Sequence, residues 1–417
     1  MKSAQEIAGL TIGGFEASNI LERNQLFSEY INNALPSSNV IDVRVISSPA
    51  SLNSVAASGR IARKKYFFKV HIETNSKVEK EYEQAELLAS SGWPVYAPVM
   101  KSENPKFPLL VYPWTDSPTL FDKLALTYKN NQVEIDKKDL KKLEAMNQAI
   151  GRAEAGSFKK VLAEQAAKSP IQMFFARRFE AGGRIDDWYK PETTFVLPAD
   201  DGKSLTLSWQ VIMRSKWLIN GEVYPQTLED TVEEARKSLA YSGEDDAWVN
   251  TSHGDDHAGN IFLTGNGAKV FDPAAAGDNN PVILADVKAL AHSGFLPMAG
   301  MYYDPKLPYS YSYDEEGNTI KVDADFSKSP AFEPHMAIAS QIINLRINPA
   351  LNALNKNGAD MKNEYKRFKA ALAGCALLTV NIAKLLEKND KRGAGLLAMA
   401  VMLNGLSGFE VLGKIGK

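Results

Sequence analysis

Residues Thr251–Asp272 read TSHGDDHAGNIFLTGNGAKVFD, and the fold turns on them. A polar run with two histidines, two adjacent aspartates and an asparagine stops at Ile261-Phe262-Leu263. Gly265-Asn266-Gly267 separate that apolar run from a second one, so the segment predicts a β-hairpin: NIFL, turn TGNGA, then KVFD. A hairpin of this length returns Asp272 near Asn260, while Asp255 precedes the turn that contains Gly259. A carboxylate, an amide and a second carboxylate then converge at one end. Hard oxygen donors of this kind suit Mg2+, which takes one or two carboxylates and fills its shell with phosphate oxygens and water. The remaining carboxylate can orient or deprotonate a hydroxyl.

Working back toward the N-terminus, IDVRVIS (Ile41–Ser47) and RIARKKYFFKVHI (Arg60–Ile72) alternate and carry β-branched or aromatic residues, as strands do. SKVEKEYEQAELLASSG predicts a helix, with Ser76 as N-cap and Glu79 completing a capping box. Gly92 ends it. PVYAPVM and PLLVYPW read as two more short strands. Beyond Trp114 the pattern turns helical, at Ser117–Leu126, Lys137–Gly156, Ile171–Glu180, Thr227–Tyr241 and from Pro334 onward. MYYDPKLPYSYSYDEEGN (Met301–Asn318) reads as a long loop or irregular insertion. The expectation is an α+β chain of two lobes: a small antiparallel sheet with one helix over 1–113, and a larger, mostly helical lobe over 114–417.

Composition narrows the function classes. Lys+Arg 48 against Asp+Glu 50 gives a net charge of -2, so no basic excess points to nucleic acid or an anionic membrane. The single cysteine, Cys375, rules out an internal disulfide. The first twenty residues lack a signal-peptide pattern, and LLAMAVMLNGLSGF (Leu396–Phe409) is too short to span a membrane and reads as a buried helix. A cytoplasmic protein is expected. No zinc pattern, P-loop or nucleophile elbow is present.

HGDDHAGN, followed by VFDPAAAGDNNPVILADVKAL, resembles the catalytic region of the aminoglycoside phosphotransferase-like family, which has the protein-kinase-like fold and includes choline, fructosamine and homoserine kinase relatives. The resemblance implies that Asp255 is the catalytic base, that Asn260 and Asp272 ligate Mg2+, and that Asp286 supports the catalytic loop. It places Lys69 on the nucleotide phosphates with Glu81 as its partner, and makes Leu110–Trp114 the adenine hinge through Val111, Tyr112 and Trp114. His257 matches a common family position that touches the terminal phosphate, and His253 is expected to pack the loop. The Gly-rich loop of protein kinases is replaced by SSPASLNSV, whose serine hydroxyls, Ser51 among them, and backbone amides can contact phosphate. Asp256 stands where the family often has an apolar residue, and no role follows for it. An Ala-Pro-Glu motif is absent, which argues against a protein substrate.

The function expected is transfer of the γ-phosphate of ATP or GTP to a hydroxyl of a small molecule. The aromatic region Phe174–Trp217 and the acids near YDEEG (Tyr313–Gly317) suit a sugar, an amino alcohol or an aminoglycoside. Two alternatives keep the nucleotide site: a kinase-like regulatory protein without phosphotransfer, and a variant that transfers the adenylyl group.

Overall fold

The structure is a computed structural model, and it describes residues 18–46, 54–71, 78–132, 134–224, 226–241, 246–300, 306–379, 381–388 and 390–407. Ser51, the Ser76 cap and the first residues of the Tyr-rich segment lie outside the described residues. The chain forms two compact units. One takes the described residues up to Ser90, with Val95–Ser117 and Phe271–Ala274. The other takes Ser91–Pro94, Pro118–Val270 and the described residues from Ala275. The fold is α+β, with an antiparallel sheet in the first unit and mostly helix in the second.

The sheet of the first unit contains β1 (Ile41–Ile46), β2 (Ser54–Ile61), β3 (Lys64–His71), β4 (Met100–Lys101) and β5 (Leu110–Pro113), in the order β1-β2-β3-β5-β4. Strand periodicity decides what β3 does. Phe68 and Val70 point into a core shared with Phe27, Tyr30, Ile31 and Ala34 of the Ser18–Ala34 helix. Phe67 and Lys69 therefore face the other way. There, Phe67 packs with Leu110, Tyr112 and Tyr82, the last from the Val78–Ser90 helix. The Ser18–Ala34 helix is an addition to the one helix expected in this region. Its apolar residues Phe27, Tyr30, Ile31 and Ala34 do recur at helical spacing, but they sit among asparagines and serines that lower helix propensity.

In the second unit, Asp246–Ser252 is the central strand of a three-stranded sheet, between Gly277–Pro281 and Lys159–Leu162. The expected hairpin is present: Ile261–Thr264 pairs with Gly267–Val270, with Ile261 opposite Val270. The Tyr-rich segment is corrected from loop to strand. Tyr309–Asp314 pairs residue by residue with Thr319–Ala324, because YSYSYD alternates with period two and EEGN supplies the turn. The Lys137–Gly156 helix comes so close to the π-helical turn Ile343–Ile347 that a Cβ on Gly151 would lie 2.2 Å from the Leu345 carbonyl oxygen, so the approach needs glycine. Among the described residues no helix is long and apolar enough to cross a membrane.

Candidate active site

Lys69 is the first element of the site. Its place on β3 directs the ammonium away from the core and toward the Val78–Ser90 helix. Nζ donates to Glu81 Oε1 at 3.0 Å and Oε2 at 3.1 Å, and to Asp272 Oδ1 at 2.7 Å. Tyr112, paired with Phe67 across β5 and β3, donates its hydroxyl to Glu81 Oε1 at 2.7 Å. Lys69 and Glu81 are both buried. Burial alone would lower the Lys69 pKa, but Asp272 and Glu81 outweigh it and hold the ammonium above its ordinary range. Burial, and then the Glu81 and Asp272 charges, keep the Tyr112 phenol protonated well above its usual value. Asp272 adopts a left-handed backbone, with φ of 61°. That conformation is uncommon for a residue with a Cβ, and here it accompanies a carboxylate set against a buried cation.

The remaining hinge residues are engaged locally. The Val111 carbonyl accepts from Val99 N–H at 2.7 Å. The Trp114 indole donates to Asp116 at 2.8 Å and lies under Lys65, whose Nζ is 3.4 Å from the ring centroid.

The Asp255 loop belongs to the second unit. The Asp246–Ser252 strand runs into it through Ser252 and His253, both fully buried. Gly254 then turns the chain with φ of +71°, where a Cβ would sit 3.1 Å from Ile171 Cβ. His253 Nδ1 accepts the Asp255 N–H at 3.2 Å, and its ring packs near Trp93, so it organises the loop. His257 Nδ1 accepts the Gly259 N–H at 3.1 Å and closes the short 3-10 turn Ala258–Asn260. Asn260 donates its side-chain amide to the Asp255 carbonyl at 2.8 Å, which ties the two residues together across the loop.

The Asp255 carboxylate keeps 27% of its surface exposed. Its Oδ1 lies 3.6 Å from His257 Nε2 and forms an ion pair with Lys288, a residue that is itself buried. Burial would raise the Asp255 pKa, but the Lys288 ammonium, the largest opposing charge, outweighs it and keeps the group ionised. Burial, with Lys288 adding to it, pushes the His257 pKa below its usual value, so the imidazole is neutral near pH 7.

Asp256 faces away from Asp255's chemistry. Its Oδ2 accepts from Arg346 Nη1 at 2.6 Å. Arg346 Nη2 pairs with Asp286 and lies 3.9 Å from Glu154 Oε1, and all four groups are buried. The loop is thus bolted through Asp256 to the Ile343–Ile347 turn, and the extra carboxylate has a buried cation to meet. Burial disfavours the guanidinium's charge, yet Asp256, Asp286 and Glu154 keep it protonated far above the working range. Three carboxylates around one cation leave an excess of negative charge. Burial, then Asp286, raises the Glu154 pKa well above its usual value, and burial takes Asp286 to about 6.

These raised values have a definite sign. The folded state holds protons that the unfolded chain releases above about pH 4, so the stability they contribute is complete below that pH. It is lost as pH rises through the raised folded values, about 6 for Asp286. Asp256 acts oppositely: burial is outweighed by Arg346, its pKa is lowered, and its contribution is lost only in acid. Glu154→Gln is therefore expected to flatten the fall in melting temperature above about pH 4 relative to wild type. An unchanged slope would show that Glu154 is ionised throughout.

Lys288, Arg346 and Glu154 were not anticipated as parts of the site. The signal for two of them is a basic residue inside an apolar run, in VILADVKALAHSGF and IASQIINLRINPAL.

No protein-family model matches the chain, and no curated protein matches it. Solved structures do. A spectinomycin phosphotransferase in complex with ADP and spectinomycin is 14% identical, with 91% of this chain and 98% of that one covered and a TM-score of 0.36. An ethanolamine kinase from Plasmodium vivax is 11% identical, with 97% and 95% covered and a TM-score of 0.40. A macrolide 2'-phosphotransferase from Brachybacterium faecium is 12% identical, with 92% and 98% covered and a TM-score of 0.34.

Proposed function

We propose that the chain transfers the γ-phosphoryl group of ATP to a hydroxyl of a small molecule. The observation that carries this reading is the buried Lys69–Glu81–Asp272 cluster. A lysine paired at once with a helix glutamate and with a carboxylate at the end of a hairpin is built to meet phosphate and its metal. Lys69 holds the nucleotide phosphates, and Glu81, fixed by Tyr112, keeps the ammonium in place.

Asp272 and Asn260 are the residues that hold Mg2+ in this reading. Both offer hard oxygens, and among the described residues no cluster of three or more His, Cys, Asp or Glu side chains competes for a metal. When bound, the ion supplies positive charge to the β- and γ-phosphate oxygens.

The step balances simply. The acceptor oxygen forms a bond to the γ-phosphorus, the bond from that phosphorus to the β–γ bridging oxygen breaks, and ADP leaves. The hydroxyl proton passes to Asp255, which is ionised and partly open to solvent.

The test is nucleotide binding and turnover in parallel. Lys69→Met should weaken binding of a non-hydrolysable ATP analogue with Mg2+ by about tenfold or more, as expected for loss of a charge-assisted contact. Unchanged affinity would remove Lys69 from the phosphate site. Tight binding with no γ-phosphate transfer to any acceptor would identify a non-catalytic relative, and release of pyrophosphate would identify adenylyl transfer.

A further inference from the structure

The surroundings of Asp255 carry an excess of positive charge. Lys288 pairs with Asp255 Oδ1 while its Nζ stands 4.0 Å from the ring centroid of Phe174. Arg178, one turn along the Pro170–Phe179 helix, lies on the same ring, with Cζ 3.3 Å from its centroid. Arg178 makes no ion pair among the described residues, and its buried Nη1 has no hydrogen-bond acceptor there. The neighbouring histidines do not change this sum. His257 and His292, whose rings are 6.0 Å apart, are both driven toward the neutral form, first by burial. One carboxylate therefore faces two cations, although burial and then Arg184 lower the Arg178 pKa to about 9, and a guanidinium N–H is withdrawn from water without a partner. Both conditions favour an anion.

One of the acids expected to attract a cationic substrate is already paired. In YDEEG, Asp314 sits at a hairpin turn and pairs with Lys321 at 3.4 Å. The nucleotide's phosphates, for their part, have Lys69.

We propose that the acceptor is itself anionic: a small hydroxylated molecule whose carboxylate or phosphate is bound by Arg178, with Lys288 beside it, next to Asp255. This rests on the phosphotransfer reading above, and it turns the expectation of an amine or aminoglycoside around. Phe174 fixes both cations in place, and an acceptor oxyanion on Arg178 would bring a nearby hydroxyl to Asp255.

The experiment is calorimetric titration of the full chain, saturated with a non-hydrolysable ATP analogue and Mg2+. The probes are gluconate, glycerate and glucose 6-phosphate, set against glucose, ethanolamine and an aminoglycoside. At least one anionic probe should bind, about tenfold more weakly to Arg178→Gln, with most of the loss restored by Arg178→Lys. Restoration by lysine separates charge recognition from misfolding. Three results would overturn the proposal: only neutral or cationic probes bind, anion binding is indifferent to Arg178→Gln, or anions bind only when the nucleotide analogue is omitted. The last would assign both cations to the nucleotide's phosphates. Arg178-dependent anion binding without phosphoryl transfer from ATP would keep the anion site and retire the phosphotransfer reading. Transfer to a neutral acceptor alone would do the reverse.

Discussion

Asp255→Ala should lower kcat by roughly three orders of magnitude while leaving nucleotide affinity nearly unchanged. The geometry sets both halves of that expectation. Asp255 lies on a loop held by buried Ser252 and His253 on one side and by the His257–Asn260 turn on the other, so its carboxylate is placed without help from the nucleotide. Lys288 keeps it ionised, which suits a group that must accept a proton. Asp255→Asn keeps the shape and a hydrogen-bond acceptor but cannot take up the proton, and should lose nearly as much. Steady-state kinetics on an acceptor, with analogue binding measured beside it, distinguishes the role. A fall in nucleotide affinity equal to the fall in kcat would make Asp255 a structural residue.

The largest stability effect should come from Arg346→Leu, at about 3–5 kcal/mol, because it strands buried carboxylates without their cation. Asp256 and Asp286 both depend on that guanidinium, and Glu154 lies within 4 Å of it at 3.9 Å. Replacing the ion pairs wholesale with apolar groups could be neutral, but removing only the cation is not. Asp256→Asn leaves Arg346 with Asp286 and Glu154 and should cost less, about 1–3 kcal/mol. Denaturant unfolding followed by tryptophan fluorescence reads this directly, since Trp93 stands 5.6 Å from the guanidinium. Equal midpoints for wild type and Arg346→Leu would contradict the arrangement.

Features that depend on short-range pattern were legible in the sequence. The TGNGA turn between two apolar runs announced the hairpin, and the alternation of KKYFFKVH announced a strand with Lys69 on the opposite face from Phe68 and Val70. Among Glu79, Glu81 and Glu83, the sequence alone could not decide by spacing, and in the structure it is Glu81 that meets Lys69. What stayed hidden depends on partners far along the chain. Asp256 finds Arg346 ninety residues away, and nothing local in HGDDHAGN points there. Lys288 reaches Asp255 from a short helix whose apolar sequence reads as core. The Tyr-rich segment misled for a different reason: prolines and tyrosines at its start suggest a loop, while the YSYSYD alternation that makes it a strand lies further on.

The central claim is that the γ-phosphoryl group leaves ATP for an acceptor hydroxyl held at Asp255. A single-turnover reaction with γ-labelled ATP, Mg2+ and gluconate, glycerate or glucose 6-phosphate, resolved by mass spectrometry, tests it most directly. The label should move onto the acceptor in wild type, one ADP forming for each product, and should stay on ATP in Asp255→Ala. Label that never reaches an acceptor, or that reaches it equally well without Asp255, would contradict the claim.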